Sequence, residues 1–157
     1  MADASPGQQT LDIARRRRAM AAFAIADTAV LAAGWRAIGG SMRATALRGP
    51  EAGLVMLRGR IGGGGAPFNL GEASVTRATV RLGSGEVGHA MVLGRDLARA
   101  ELAAILDAAF QRPEWRERIG AEIVEPVLAA QAQDDRQRAE ETQATRVDFF
   151  TVVRGED

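Results

Sequence analysis

GRIGGGGAPFNLGEASVTR, residues 59–77, sets the fold: four consecutive glycines stand between two β-prone runs and lead into a compact Pro-Phe-Asn-Leu-Gly-Glu turn. Glycine loses more backbone freedom on folding than any other residue. A run of four therefore marks a place where φ > 0, or close approach of another molecule to bare backbone, is required. Gly62, Gly63, Gly64 and Gly65 are that place.

Strand signals lie on both sides. Residues 44–48 and 53–60 read as strands separated by a turn at Pro50 and Glu51. Leu54, Val55, Met56 and Leu57 are apolar on both faces, the pattern of a central strand. Beyond the glycines, residues 73–82 and 86–93 form two more strands about a Gly83-Ser84-Gly85 hairpin signal. The expected centre is a small antiparallel or mixed sheet.

Helices flank it. Residues 1–9 read as a disordered leader and 10–39 as two helical segments meeting near Asp27, whose carboxylate can cap the second. Val30, Leu31, Trp35 and Ile38 recur at helical spacing and are expected in the core. Asp96 caps a helix whose stripe is Leu102, Ile105, Leu106, Ala109 and Phe110, and Pro113 stops it. It is expected to cover one sheet face. A further helix carries Trp115, Ile119, Ile123, Val127 and Leu128, with an interruption or kink at Pro126. Residues 129–146 continue as a polar helix with Asp134/Arg138 and Arg136/Glu140 at four-residue spacing.

The chain closes on VDFFTVV, residues 147–153, an apolar β-forming run that needs cover. Two readings stay open: it folds back onto its own sheet, or it augments a partner, with 129–157 as an arm and Val147, Phe149, Phe150 and Val152 as its contacts. The fold class is α+β: one domain over residues 10–157, with N-terminal helices, one covering helix, a long C-terminal helix and a final strand.

Composition narrows the chemistry. At 157 residues, 46% of them hydrophobic, the chain suits one domain with an aliphatic core. It has no cysteine, which excludes disulfides, thiolate metal sites and cysteine nucleophiles. All 20 basic residues are arginine, so no Schiff-base or P-loop lysine exists. No apolar run has the length of a membrane span and no signal peptide is legible, so a cytoplasmic location is expected. Net charge is zero, yet residues 1–100 hold 13 arginines against 7 acids and residues 101–157 hold 7 against 13. The positive half suits phosphates or an acidic partner, or is a solvated face. Arg15 to Arg18 are expected to meet an acidic protein surface or water, because nucleic-acid binding lacks aromatic platforms and a motif.

No catalytic constellation is legible. The glycines miss the dinucleotide spacing at Pro67 and Phe68 and lead into a strand, and the Walker lysine is missing. A concave nest of backbone N–H groups near Arg58, Arg60 and Arg77 could hold phosphate oxygens, the basis of an alternative reading as a free-standing anion- or nucleotide-binding module. A tight structural or interface loop is the simpler account. His89, the only histidine, shares a strand face with Val87, Met91 and Leu93 and reads as a satisfied, half-buried imidazole. No serine elbow and no metal-ligand spacing occur, so no metal and no catalytic residue are assigned.

PEAGLVMLRGRIGGGGAPFNLGEASVTRATVRL at 50–82, GHAMVLGRD at 88–96, DAAFQ at 107–111 and VDFFTVVRGE at 147–156 resemble the PhnG family, the G subunit of the carbon–phosphorus lyase core complex of phosphonate catabolism. The resemblance runs over roughly residues 11–156. It implies a transferase subunit that acts with H, I and L subunits in forming α-D-ribose 1-methylphosphonate 5-triphosphate from ATP and methylphosphonate, with release of adenine. It assigns the nucleosidase chemistry to the I subunit. It also implies a core of G, H, I and J subunits, with radical cleavage and an iron–sulfur cluster in J. A cysteine-free chain cannot hold that cluster, so no cofactor is expected on this chain and ATP is a substrate of the complex. Gly64 stands where the family commonly has threonine and Ala78 where it commonly has cysteine, which argues against an essential role for either side chain. Arg60, Gly62 to Gly65, Pro67, Phe68, Asn69, Glu72 and Arg77 are then read as an interface or substrate-proximal loop. Pro67 fixes its turn, Phe68 anchors it, and Asn69 and Glu72 satisfy its N–H groups.

Overall fold

The structure is a computed structural model and describes residues 6–39, 43–60 and 65–145. It is α+β. Helices α1 (Pro6–Ile25) and α2 (Thr28–Ala37) precede three strands, β1 (Ala44–Gly59), β2 (Phe68–Leu82) and β3 (Val87–Leu93). Helices α3 (Leu97–Phe110), α4 (Pro113–Ile119) and α5 (Glu125–Ala144) follow, with a π-helical turn at Gly120–Val124. The sheet is antiparallel in the order β1-β2-β3. The helix therefore begins within the expected leader, at Pro6.

Two expectations about the strands are corrected. Residues 44–48 and 53–60 are one strand of 16 residues, and β1 passes through Pro50 and Glu51 on register shifts instead of turning. Gly49 makes this possible. Its φ is +65°, and a Cβ there would sit 2.7 Å from Arg77 O and from Glu51 N, closer than any side chain allows. Second, among the described residues β1 is an edge and β2 is central. Leu54 is 66% exposed and Met56 53%, so apolar residues on both faces here signal a surface awaiting cover, not an interior strand.

Strand alternation places Thr76, Ala78, Val80 and Leu82 of β2 and Gly88 and Val92 of β3 on the face that packs beneath α3. The helix touches the sheet at Gly88, where a Cβ would lie 2.0 Å from Ala104 O. The alanines of α3 permit this approach: Ala100, Ala103, Ala104, Ala108 and Ala109 are all buried, while Leu102 and Ile105 of the expected stripe are only partly so. Ala19, Ala22 and Phe23 of α1, Leu31 and Trp35 of α2 and Ile38 just after it close the core. Val30 departs from that set and is exposed.

Asp96 caps α3 by accepting the Arg99 N–H at 2.9 Å, as its position predicts. Asp27 precedes α2 in extended conformation, but its carboxylate makes no capping bond. The interruption expected at Pro126 is a π-helical turn just before it, at Gly120–Val124, and Pro126 stands in the first turn of α5, where its missing N–H is tolerated. Ile123 of that turn packs over Gly34 and Trp115 lies 5.6 Å from Trp35, ring centroid to centroid. No helix among the described residues is long and apolar enough to cross a membrane.

Candidate functional site

The glycine-flanked hairpin outruns its own sheet. β3 ends at Leu93, opposite Val75 of β2, yet β1 and β2 go on pairing from Leu54↔Ser74 to Gly59↔Phe68. This is a two-stranded ribbon roughly 20 Å long at about 3.3 Å per residue. It has no third strand and no helix beneath it among the described residues, and its apolar side chains lie open: Leu54, Met56, Leu57, Phe68 and Leu70 are all exposed. Met91 and Leu93 at the end of β3 are 53% and 68% exposed on the sheet face that Leu57 shares, opposite the face of Leu54 and Met56. Isolated exposed leucines are ordinary, but a contiguous set on a protruding ribbon is the signature of a contact surface.

The expected loop residues are distributed along this ribbon. Phe68, Asn69 and Glu72 are strand residues facing Gly59, Arg58 and Met56 across the pair, so Pro-Phe-Asn-Leu-Gly-Glu is extended β-structure and not a compact turn. Leu70 is the extra residue where the register shifts, and it lies over Gly59, whose absent side chain makes room. Arg60, Gly65 and Pro67 are exposed at the end of the ribbon, while Gly62, Gly63 and Gly64 lie outside the described residues.

Arg77 is a different kind of residue. It stands nine positions from Phe68 along β2, at the root of the ribbon, where its Nη2 donates to Glu51 Oε1 at 3.3 Å. The same carboxylate oxygen accepts from Arg48 Nε at 2.9 Å. Glu51 is thus held between two arginines across the bulge and ties the irregular part of β1 to β2. The loop reading groups Arg77 with Phe68, and the structure does not bring them together.

His89 shares its strand face with Met91 and Leu93 as expected, but that face is the uncovered one. The imidazole is exposed, with Nδ1 3.2 Å from the Thr79 hydroxyl, instead of half-buried.

Arg15, Arg16 and Arg18 meet acids of their own chain. Arg16 donates from Nε and Nη2 to the two oxygens of Asp107 at 2.8 and 2.7 Å. Asp107 is fully buried in α3 and also accepts the His89 backbone N–H at 2.9 Å. The hydrogen bond to Asp107 raises the Arg16 pKa, against the opposing effect of burial. Arg18 pairs with Glu125 and Arg15 with Glu117. The signal for Asp107 is present in LAAILDAAF, because a carboxylate inside an apolar helix demands a cation.

The second projecting element is α5, which has no buried residue. It starts beside Arg18 of α1 and runs toward the α1–α2 junction, where Asp134 shares a cleft with Asp27 and Val30. Thr28 at that junction donates to Asp96 at 2.6 Å, which fixes it at the end of β3 where the ribbon departs. From Asp134 to Ala144 the helix continues for about 15 Å at 1.5 Å per residue. Ribbon and helix therefore leave the core at the same end. Arg138 pairs with Asp135, at three-residue spacing rather than with Asp134. Val147, Phe149, Phe150 and Val152 lie outside the described residues.

Comparison with known proteins bears on this arrangement. The family model for "Phosphonate metabolism protein PhnG" matches residues 14–155. The chain is also similar to the "Alpha-D-ribose 1-methylphosphonate 5-triphosphate synthase subunit PhnG" of Rhizobium meliloti (strain 1021), at 54% identity over 157 residues and the full length of both chains.

Proposed function

The chain belongs to the PhnG family of phosphonate metabolism proteins, and we propose that it works as a subunit of a ribose 1-methylphosphonate 5-triphosphate synthase. In this reading it acts with H, I and L subunits in the transfer of the ribose triphosphate moiety of ATP to methylphosphonate, releasing adenine. It assembles with H, I and J subunits in a cytoplasmic carbon–phosphorus lyase core. Its own contribution is architectural, and neither a catalytic group nor a cofactor is assigned to it.

The observation that carries this reading is the ribbon: five exposed apolar residues on a two-stranded projection that its own described chain leaves uncovered. Such a surface is stable in water only at a cost that a partner removes. Arg60, Gly62 to Gly65, Pro67, Phe68, Asn69 and Glu72 belong to the contact, while Arg77 holds its root. The overhang of α5 and the residues after it, with Val147, Phe149, Phe150 and Val152, form an arm to a neighbouring subunit.

Native mass spectrometry of the tagged chain, produced with H, I and J homologues and also alone, tests this. A defined hetero-oligomer containing the chain is expected. A free monomer beside an assembled complex of the others would overturn the reading, and direct binding of ATP or methylphosphonate by that monomer would favour a free-standing anion-binding module.

A further inference from the structure

We infer that the free edge of the ribbon, β2 from Phe68 to Ala73, receives the C-terminal end of a second copy of this chain, carried there by α5. Two copies then clasp each other reciprocally. The inference rests on the subunit reading and deepens it by naming one neighbour of the arm.

β3 pairs with β2 only from Val75 onward and the Gly94 N–H bonds the Ser74 carbonyl, so among the described residues Phe68 to Ala73 have no strand on that side, and alternate residues there present unpaired backbone donors and acceptors. VDFFTVV, residues 147–153, is long enough to span that stretch and strongly β-forming. It comes after α5 with only Thr145 and Arg146 between, a link of at most about 7 Å, so the segment starts where the helix ends. A strand paired on β2 there would lie beside the exposed Phe68 and Leu70 and, since Phe149 and Phe150 alternate in face, bring one phenylalanine to each side of the ribbon.

Charge specifies the occupant. The far end of the ribbon carries Arg58 and Arg60, and neither has an ion pair among the described residues. The α5 overhang from Asp134 carries four carboxylates against two arginines, with Asp134 and Glu140 outside the one ion pair formed there among the described residues. No ion pair of the described residues joins α5 to the ribbon within the chain; the pairs of β1 and β2 are internal to the hairpin. One end of the molecule thus offers a basic apolar prong with an open edge next to an acidic prong that leads into a strand-forming sequence. That surface is complementary to itself, the requirement for an isologous two-fold contact.

Photocrosslinking tests the inference. Phe150 is replaced by p-benzoylphenylalanine in a chain with one affinity tag, co-produced with an unsubstituted chain bearing another and with H, I and J homologues. Assemblies holding both tags are isolated and irradiated. A covalent product of two chains carrying both tags, with its adduct within residues 68–73, is expected. An adduct inside one chain, on another subunit or elsewhere on the second copy, or no adduct, would overturn the inference, whereas failure of the chain to join any assembly would overturn the subunit reading.

A charge swap gives the independent readout. Arg58→Glu with Arg60→Glu in the unsubstituted chain is expected to lower the two-chain product on the order of tenfold, as two modest ion pairs allow. Asp134→Arg with Glu140→Arg in the probe-bearing chain restores it. Loss without restoration counts against the pairing, and unchanged melting of each variant shows that folding is not the cause.

Discussion

Arg16 grips Asp107 through two parallel hydrogen bonds, and the same carboxylate accepts the His89 backbone N–H, so one buried group joins α1, α3 and β3. The geometry is the fork pairing that makes arginine, not lysine, suited to a buried carboxylate. Removing only the cation leaves a charge in the core. Arg16→Met is expected to destabilise the fold by about 3–5 kcal/mol. Arg16→Met with Asp107→Leu should cost less than the single change, leaving mainly the orphaned His89 N–H, worth about 1–3 kcal/mol. Urea unfolding of both variants measures this, and a double variant less stable than Arg16→Met would refute the account.

Gly88 is where α3 sits on the sheet, and a single methyl group has nowhere to go. Its position 2.0 Å from Ala104 O and 2.5 Å from Ala108 N obstructs backbone, which cannot rotate away as a side chain can. Gly88→Ala should therefore cost more than the ordinary overpacking range of about 1–3 kcal/mol, or prevent folding. Gly83→Ala, whose nearest obstacle is Arg43 O at 3.8 Å, is the control and should melt close to the parent. Equal melting temperatures for the two would contradict the packing described.

Asp96 is held below the ordinary aspartate pKa, first by the hydrogen bond from Thr28 and then by the Arg99 N–H. A lowered folded pKa means that the bonded carboxylate stabilises above the unfolded pKa, and that this contribution disappears as pH falls through the folded one. Asp96→Ala should be less stable than the parent at neutral pH. The two melting curves should converge as pH falls below about 4, the ordinary range of an aspartate. A constant gap from neutral pH into the acid range would remove the carboxylate from the explanation.

Much of this architecture is legible in the chain. The Asp96 cap, the helix breaks and the Gly83-Ser84-Gly85 hairpin follow from local chemistry, and the structure keeps them. Strand order is not local. Leu54 to Leu57 carry the same apolar pattern whether covered by their own chain or by another, so periodicity alone reads an edge as a centre. The Pro-Phe-Asn-Leu-Gly-Glu segment misleads for a related reason: its turn-forming residues sit in a strand, where Gly71 at φ +155° and a bulge at Leu70 absorb them. Arg16 and Asp107, 91 residues apart, become partners only through the packing of α1 on α3.

The ribbon should be separable from the fold. Leu54 and Leu70 are 66% and 60% exposed, so Leu54→Ser with Leu70→Ser removes little buried contact within the chain. A change in stability within about 0.5 kcal/mol is expected, as for other surface positions. Loss of assembly is expected at the same time, because apolar anchors at the centre of an interface each contribute about 2 kcal/mol or more. Co-purification with the other subunits and a melting curve on the same preparation read both quantities. Retained assembly would mean that the partner contact lies elsewhere.

Truncation separates the two prongs. Ile119, Ile123 and Val124 are buried and Val127 and Leu128 pack on the core, whereas nothing in α5 is itself buried. A chain ending at Leu128 keeps all of these contacts and forgoes only the solvated remainder of α5 and the C-terminal residues beyond it. Its melting temperature should stay within a few degrees of the parent, given that about 1 kcal/mol corresponds to roughly 2–8 °C in domains of this size range. Complex formation should be lost, since the acidic overhang and residues 147–153 go together. A truncated chain that folds and still enters the complex would leave the arm without a role, and the ribbon alone would have to account for assembly.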